Sequence, residues 1–153
     1  MLFGQIDFVN CLPITLPLVD GRPELLQLTM GTPGELNKRY QDKELDIGAM
    51  SAHYLLSAAD FEIIPTLSIS SLGAVGSVFL FTKKDLSDLG QSRIGVPFAS
   101  ATSISLLRLL LIEEFALTPE VVYGKDPGPD HPEYDACLMI GDAALAADRW
   151  LKE

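Results

Sequence analysis

The residues best suited to chemistry in this sequence are small, neutral and polar, and they fall in three segments. The segments are Asn10, the stretch from Ser70 to Ser77, and the run Ser100-Ala101-Thr102-Ser103. Each borders an apolar segment of strand length, and open α/β sheets bind ligands where strands end and helices begin. We therefore predict a site at which amide, hydroxyl and backbone N–H groups hold a small ligand.

An anionic ligand at these segments would be held by neutral donors, because none of the 11 Lys and Arg residues falls inside them. A hydrogen bond to a charged group contributes roughly 1.5 to 3 kcal/mol, so three or four such bonds suffice. Ser100 to Ser103 opens an apolar helix, whose free N–H groups and positive dipole end attract anions. The segments supply no obvious general base.

Each candidate also has a purely structural interpretation, which sequence spacing leaves open. Asn10 could cap the first helix instead of pointing into a site, and Ser77 could be a buried serine bonded to its strand neighbour. Capping of the following helix explains Ser100 to Ser103 equally well. Asp142 is interpreted first as the cap of the final helix, with a ligand contact as the alternative.

The cysteines and histidines predict neither a metal centre nor a catalytic thiolate. Cys11 and Cys137 lie far apart, and neither belongs to a CxxC motif or a Cys/His cluster. His53 and His131 have no carboxylate or serine in a triad-like context. We expect both cysteines to be reduced residues of the core.

The composition narrows the classes of partner. The 153 residues carry a formal net charge of −10, which disfavours nucleic acid as a partner. No apolar run approaches the roughly 20 residues that a membrane span needs. The N-terminal sequence lacks the features of a secretory signal, so we expect a cytoplasmic protein that does not enter membranes.

Short apolar strands alternate with capped helices along the chain, the pattern of a parallel sheet wound from βα units. Thr32-Pro33-Gly34-Glu35 predicts a capping box and a helix to about Gln41, and Ser51 predicts the cap of a short helix. A mostly apolar helix begins near Thr102, and we expect it to be covered on several sides. Strands are predicted at residues 2–7, 25–30, 46–49, 61–65, 75–82, 93–97, 120–123 and 135–140.

The sequence changes character between Leu67 and Gly76, where small, hydroxylated and glycine residues interrupt the apolar pattern. We interpret this stretch as a crossover between two lobes. The predicted domains are residues 1–80 as lobe I, with Asn10, and residues 81–153 as lobe II, with the helix that starts near Thr102.

Seven short motifs occur in order along nearly the whole chain. They are Phe8-Val9-Asn10-Cys11-Leu12-Pro13, Gly31-Thr32-Pro33-Gly34-Glu35-Leu36, Glu44-Leu45-Asp46-Ile47-Gly48, Ser68-Ile69-Ser70-Ser71, Gly76-Ser77-Val78, Ala99-Ser100-Ala101-Thr102-Ser103 and Leu138-Met139-Ile140-Gly141-Asp142. In this order and spacing the motifs resemble the chorismate dehydratases of the futalosine route to menaquinone. The resemblance implies an α/β fold like the type II periplasmic binding proteins, with two lobes and an interlobe cleft.

The resemblance also implies a hydro-lyase that removes water from chorismate and gives 3-[(1-carboxyvinyl)oxy]benzoate, without a metal or organic cofactor. Asn10 and Ser77 match the family's catalytic, substrate-binding pair, and Thr102 and Ser103 match carboxylate donors. The enolpyruvyl carboxylate of chorismate would serve as an internal base, which fits the lack of an evident protein base. The other predicted substrate-binding residues are Ser70, Ser100 and Asp142.

The resemblance has one departure, which concerns length. Family members are longer and have a C-terminal portion that returns to the first lobe, so this chain is expected to lack one wall of the cleft. A homodimer could supply that wall. Three alternatives stay open: the related 1,4-dihydroxy-6-naphthoate synthase, a solute-binding protein for a small carboxylate, and an inactive relative that serves assembly or regulation.

Overall fold

The computed structural model describes residues 1–21, 24–124 and 127–152. The chain forms two compact units, Met1–Ser70 and Ser71–Glu153, each with its own sheet. The division between the units falls inside the glycine-rich stretch that was interpreted as a crossover. The predicted lobe boundary after residue 80 stays a prediction. No helix in the described residues is long and apolar enough to cross a membrane.

The first unit contains a three-stranded parallel sheet with the order β2-β1-β3. The central strand β1 is Leu2–Ile6, and it is flanked by β2, Gln27–Gly31, and β3, Ile47–Gly48. All three strands run in the same direction, as the βα pattern predicted. Their carboxyl ends therefore lie at one edge of the sheet.

Four helical segments accompany this sheet. A short 3-10 turn, Val9–Cys11, precedes α1, Leu12–Gly21, and the others are α2, Pro33–Gln41, and α3, Ala52–Ser57. The predicted capping box at Thr32 is confirmed, since its hydroxyl accepts from the Glu35 amide while the Glu35 carboxylate accepts from the Thr32 amide. The Ser51 cap of α3 is confirmed as well.

The second unit has a four-stranded sheet with the order β4-β7-β5-β6. The strands are β4, Val78–Thr82, β5, Arg93–Pro97, β6, Glu120–Gly124, and β7, Ala136–Ile140. Strands β5, β6 and β7 are parallel, but β4 pairs with β7 in the antiparallel sense. The expectation of an entirely parallel sheet is therefore wrong for β4.

The helices of the second unit are a 3-10 segment, Leu86–Gln91, followed by α4, Ala101–Phe115, and α5, Gly141–Lys152. Helix α4 packs one stripe into the core of this unit, and the stripe contains Ile104, Leu107 and Leu111. Its opposite side is open, because Leu106 and Leu109 are 52% and 55% exposed. The expectation that this helix is covered on several sides is wrong.

One predicted strand is absent from the described residues. The stretch 61–65 adopts no regular secondary structure, although Phe61 packs its ring edge-to-face against Tyr40 and Tyr54. Ile63 and Ile64 are exposed instead of paired. Phe61 therefore contributes by aromatic packing, and no strand among the described residues lies beside the segment to form a ladder.

Candidate functional site

Five of the predicted site residues lie at the same edge of the second sheet. Parallel strands β5 and β7 end at this edge, and antiparallel β4 begins there. Carboxyl ends of parallel strands that lead into helices are the usual position of ligand sites in α/β sheets. We call this set the polar edge, and its members are Ser77, Ser100, Thr102, Ser103 and Asp142.

Ser77 is fixed at the polar edge through its backbone. It directly precedes β4, and its carbonyl oxygen accepts a 2.8 Å hydrogen bond from the amide of Gly141, which follows β7. Gly141 has a left-handed backbone with φ of 63°, which a glycine adopts without steric cost. Ser77 is half-buried, so the alternative of a fully buried serine does not hold. Its backbone therefore lies where β4 begins and β7 ends.

Ser100 and Ser103 are bonded to each other at the start of α4. The Ser100 hydroxyl accepts from the Ser103 amide at 3.4 Å and donates to the Ser103 hydroxyl at 2.7 Å. This arrangement confirms the capping interpretation of Ser100. Both residues are half-buried, as is Thr102 between them. The positive end of a 15-residue helix dipole therefore lies at the polar edge.

Asp142 lies in the first turn of α5 and is exposed. The helix begins one residue earlier, at Gly141, so Asp142 is not the residue that precedes the helix. A carboxylate in the first turn interacts favourably with the helix dipole. Asp142 also directly follows Gly141, whose amide bonds to the Ser77 carbonyl. The polar edge thus presents hydroxyl donors together with one acidic acceptor.

An aromatic pair flanks the polar edge and was not singled out from the sequence. Phe98, just beyond β5, stacks on Tyr123 near the end of β6, with ring centroids 5.8 Å apart and an interplanar angle of 28°. Phe98 is 71% exposed and Tyr123 is 47% exposed. The sequence feature that could have indicated the pair is an aromatic residue at the end of each of two successive predicted strands. The pair offers an exposed apolar surface beside the polar groups.

The described basic residues of the second sheet are engaged at the opposite edge. Lys84 forms a 2.7 Å ion pair with Asp135, and Arg93 forms a 3.3 Å ion pair with Glu120. The Lys83 ammonium donates to the carbonyl of His131 at 2.6 Å. Each of these residues lies where β4 ends or where β5, β6 and β7 begin. An anion at the polar edge would therefore lie close to hydroxyl groups and a helix N-terminus, and far from these basic side chains.

Asn10 lies in the first unit, in the 3-10 turn Val9–Cys11 that follows β1. Its side chain is exposed, and its carbonyl oxygen accepts from the thiol of Cys11 with 3.6 Å between Sγ and Oδ1. The residue that precedes this turn is Phe8, so Asn10 is not its cap. With the oxygen engaged by Cys11, the amide N–H groups of Asn10 are the part available to an acceptor.

The Cys11 side chain is suited to donate this hydrogen bond and not to act as a nucleophile. Cys11 is 4% exposed, and burial raises the pKa of its thiol. The neutral S–H form is therefore favoured, and a thiolate is the reactive form of cysteine. The prediction that Cys11 is a free packing residue is confirmed.

Ser70 ends the first unit and lies in a stretch without regular secondary structure. It is exposed, and its hydroxyl is 3.3 Å from the hydroxyl of Ser68. Its role in substrate binding stays a prediction. Among residues 1–21, 24–124 and 127–152, no group of three or more His, Cys, Asp or Glu side chains is arranged to hold a metal ion.

Comparisons with known proteins agree on a family and on a fold. The sequence matches the protein family described as menaquinone biosynthesis over residues 1–152. A protein of Thermus thermophilus named chorismate dehydratase is 33% identical over 135 residues, which cover 82% of this chain and 46% of that protein. The chain thus spans about half the length of the curated relative that it matches.

The fold is shared with a crystal structure of a protein from Archaeoglobus fulgidus. The two superpose with a TM-score of 0.66 at 20% sequence identity, over 97% of this chain and 56% of the other. This structural similarity confirms the predicted α/β fold of the periplasmic-binding-protein type. The interlobe cleft, the roles of the site residues and the domain limits stay predictions.

Proposed function

We propose that this chain, which belongs to the menaquinone-biosynthesis family, carries the substrate-binding residues of a chorismate dehydratase. The observation that carries the proposal is that five predicted ligand residues lie at one edge of the second sheet, the polar edge. The relative from Thermus thermophilus that bears this name supports it. A solute-binding protein of the same fold is the alternative, which binding without conversion would favour.

The proposed reaction removes one water from chorismate and forms an aromatic ring. A proton leaves a ring carbon, the resulting carbanion expels the ring hydroxyl, and the product is 3-[(1-carboxyvinyl)oxy]benzoate. The enolpyruvyl carboxylate of the substrate accepts the proton, so the protein need not provide the base. The task of the protein is then to hold the substrate with that carboxylate close to the ring C–H bond.

Each predicted residue has a defined part in holding the substrate. Asn10 donates from its amide nitrogen, and Ser77 donates from its hydroxyl. Thr102 and Ser103 hold a carboxylate at the positive end of α4, where backbone and hydroxyl donors converge. Asp142 accepts a hydrogen bond from a substrate hydroxyl, because a carboxylate beside a substrate carboxylate would be repelled.

The stacked pair Phe98 and Tyr123 supplies the apolar contact for the substrate ring. Small-molecule sites combine a few polar groups with aromatic or aliphatic walls. Both rings are exposed next to the polar edge, so a ring-shaped ligand held by Ser100 to Ser103 would reach them. A polar ligand without a ring would gain nothing from this surface.

Incubation with chorismate, followed by chromatography with mass detection, tests this function. A product lighter than chorismate by one water supports the dehydratase. Tight binding of chorismate without conversion would instead support a solute-binding protein. Chorismate that is neither bound nor converted, by a chain with the expected circular dichroism, would remove the proposal. We also propose a cytoplasmic location and a homodimer, which cell fractionation and light scattering test.

A further inference from the structure

Two buried polar side chains in the first unit contact each other and the turn that carries Asn10. Gln5 on β1 is 2% exposed and Thr15 on α1 is 3% exposed. The Thr15 hydroxyl donates to the side-chain oxygen of Gln5, and the Gln5 amide nitrogen donates to the carbonyl of Ile6 at 2.8 Å. Burying such groups costs free energy even when they are paired, and apolar residues would fill the same space.

This pair is connected to Asn10 through Cys11. The Thr15 hydroxyl also lies 3.4 Å from the carbonyl oxygen of Cys11, the last residue of the 3-10 turn. The Cys11 thiol in turn donates to the side-chain oxygen of Asn10. The contacts of Gln5 and Thr15 therefore reach the backbone of Cys11, and a separate contact joins the side chain of Cys11 to that of Asn10.

We propose that Gln5 and Thr15 are positioning residues that fix the turn Val9–Cys11 and thereby aim the amide N–H groups of Asn10 at a substrate acceptor. The inference deepens the proposed function, because it rests on Asn10 as a substrate-binding residue. Asn10 itself is exposed, so its orientation depends on the turn beneath it. Backbone bonds also hold this region, because the Asp7 amide before the turn donates to the Gly31 carbonyl and the Cys11 amide donates to the Phe8 carbonyl.

Nuclear magnetic resonance of the free protein tests this inference without chorismate. In the ¹⁵N-labelled wild-type chain, relaxation of the Asn10 side-chain amide should show the restricted motion of an ordered group. Free rotation of that amide, comparable with an exposed glutamine such as Gln41, would overturn the proposal. This measurement needs no substitution, so a variant that fails to fold cannot obscure it.

Substitutions at Thr15 give the second part of the test. Thr15→Val keeps the shape and removes the hydroxyl, so the Asn10 amide resonances should shift and their motion should increase. Thr15→Ser restores the hydroxyl and should restore the wild-type resonances. Ser51→Ala is the matched control, because it removes a 2.8 Å side-chain bond to Asn37 in the same unit. Equal effects of Thr15→Val and Ser51→Ala on Asn10, or no rescue by Thr15→Ser, would contradict the inference.

Measurements of turnover distinguish a failure of this inference from a failure of the proposed function. If the wild-type chain converts chorismate, Thr15→Val should lower kcat by up to about 100-fold, because small misplacements of a binding group have effects of that size. Ser51→Ala should leave kcat within about twofold. If the wild-type chain neither binds nor converts chorismate, the proposed function fails, and the resonance measurements still decide whether Gln5 and Thr15 position Asn10.

Discussion

The Gly141 amide donates a 2.8 Å hydrogen bond to the carbonyl of Ser77, and this bond ties the start of β4 to the junction between β7 and α5. The contact is possible because β4 runs antiparallel to β7, with Val78 opposite Ile140. Residue 77, directly before β4, therefore lies opposite the residue that follows β7. It brings a hydroxyl and the Asp142 carboxylate to the same edge of the sheet. The geometry of the proposed site depends on this junction.

Substitution of Gly141 tests the junction itself. Its φ of 63° is unfavourable for a residue with a Cβ atom, so Gly141→Ala should lower the free energy of unfolding by about 1–2 kcal/mol. Gly128→Ala in the same unit is the control, because its backbone is not left-handed and no atom lies within 4 Å of an added Cβ. That change should be neutral or stabilising by up to about 1 kcal/mol. Urea denaturation measures both, and equal stabilities would contradict the strain at Gly141.

Asn10→Asp tests the donor role of the amide. The change replaces N–H donors with a carboxylate, so it should weaken chorismate binding by roughly 3 kcal/mol, or more than 100-fold in Kd. Gln41→Glu adds the same charge at an exposed position of the same unit and should change Kd little. Titration calorimetry provides the comparison. Unchanged affinity and turnover in Asn10→Asp would remove Asn10 from the site.

Ser77→Ala should have a smaller effect. It removes one hydroxyl donor but keeps the carbonyl that bonds to Gly141, so the fold should persist. The expected loss in transition-state stabilisation is about 1–3 kcal/mol, measured as kcat/KM for chorismate. Ser87→Ala, at an exposed position in the same unit, is the matched control. A kcat/KM equal to that of the control would show that the Ser77 hydroxyl does not contact the substrate.

The buried hydroxyl of Tyr40 predicts a dependence of stability on alkaline pH. It lies 3.3 Å from the Gly4 carbonyl oxygen and 3.2 Å from that of Ile47, and burial raises the pKa of Tyr40 to about 12. The folded chain keeps this proton when the unfolded chain loses it. The contribution of this hydroxyl to stability is therefore fully present below the ordinary tyrosine pKa of 10.0, and it is lost as the pH rises towards 12.

Tyr40→Phe should lower the free energy of unfolding by about 1 kcal/mol at neutral pH and reduce the loss of stability above pH 10. Tyr123→Phe removes a hydroxyl from an exposed ring and should do neither. Some alkaline loss should remain in Tyr40→Phe, because burial raises the pKa of Cys137 to about 11. An alkaline profile identical to that of the wild type would contradict the assignment to Tyr40.

Asp135 predicts a dependence on acidic pH. Hydrogen bonds from the Lys84 ammonium and then from the Arg93 amide lower the pKa of Asp135 below its ordinary value of 3.8. The folded chain thus favours the carboxylate, whose contribution is present above pH 3.8 and is lost as the pH falls below it. Asp135→Asn should flatten this part of the acid profile of Tm, whereas Asp60→Asn, an exposed control, should not.

Local sequence signals predicted the parts of the fold that depend on neighbouring residues. Thr32 and Glu35 satisfy each other within one helical turn, so their spacing alone identifies the capping box. The direction of β4 depends instead on its partner β7, which is distant in the sequence. The segment at 61–65 has strand-like residues, but no strand among the described residues pairs with it. The motifs contain the residues of the polar edge, but their common edge follows from the pairing of β4, β5 and β7. The stacking of Phe98 on Tyr123 likewise depends on the parallel pairing of β5 and β6.

The most direct test of the central proposal is the conversion of chorismate by the purified chain, followed by chromatography with mass detection over time. We expect chorismate to disappear while a product lighter by one water accumulates in equal amount, and Asn10→Asp to slow this conversion by more than about 100-fold. Chorismate recovered unchanged from the folded wild-type chain at saturating concentration would contradict the account.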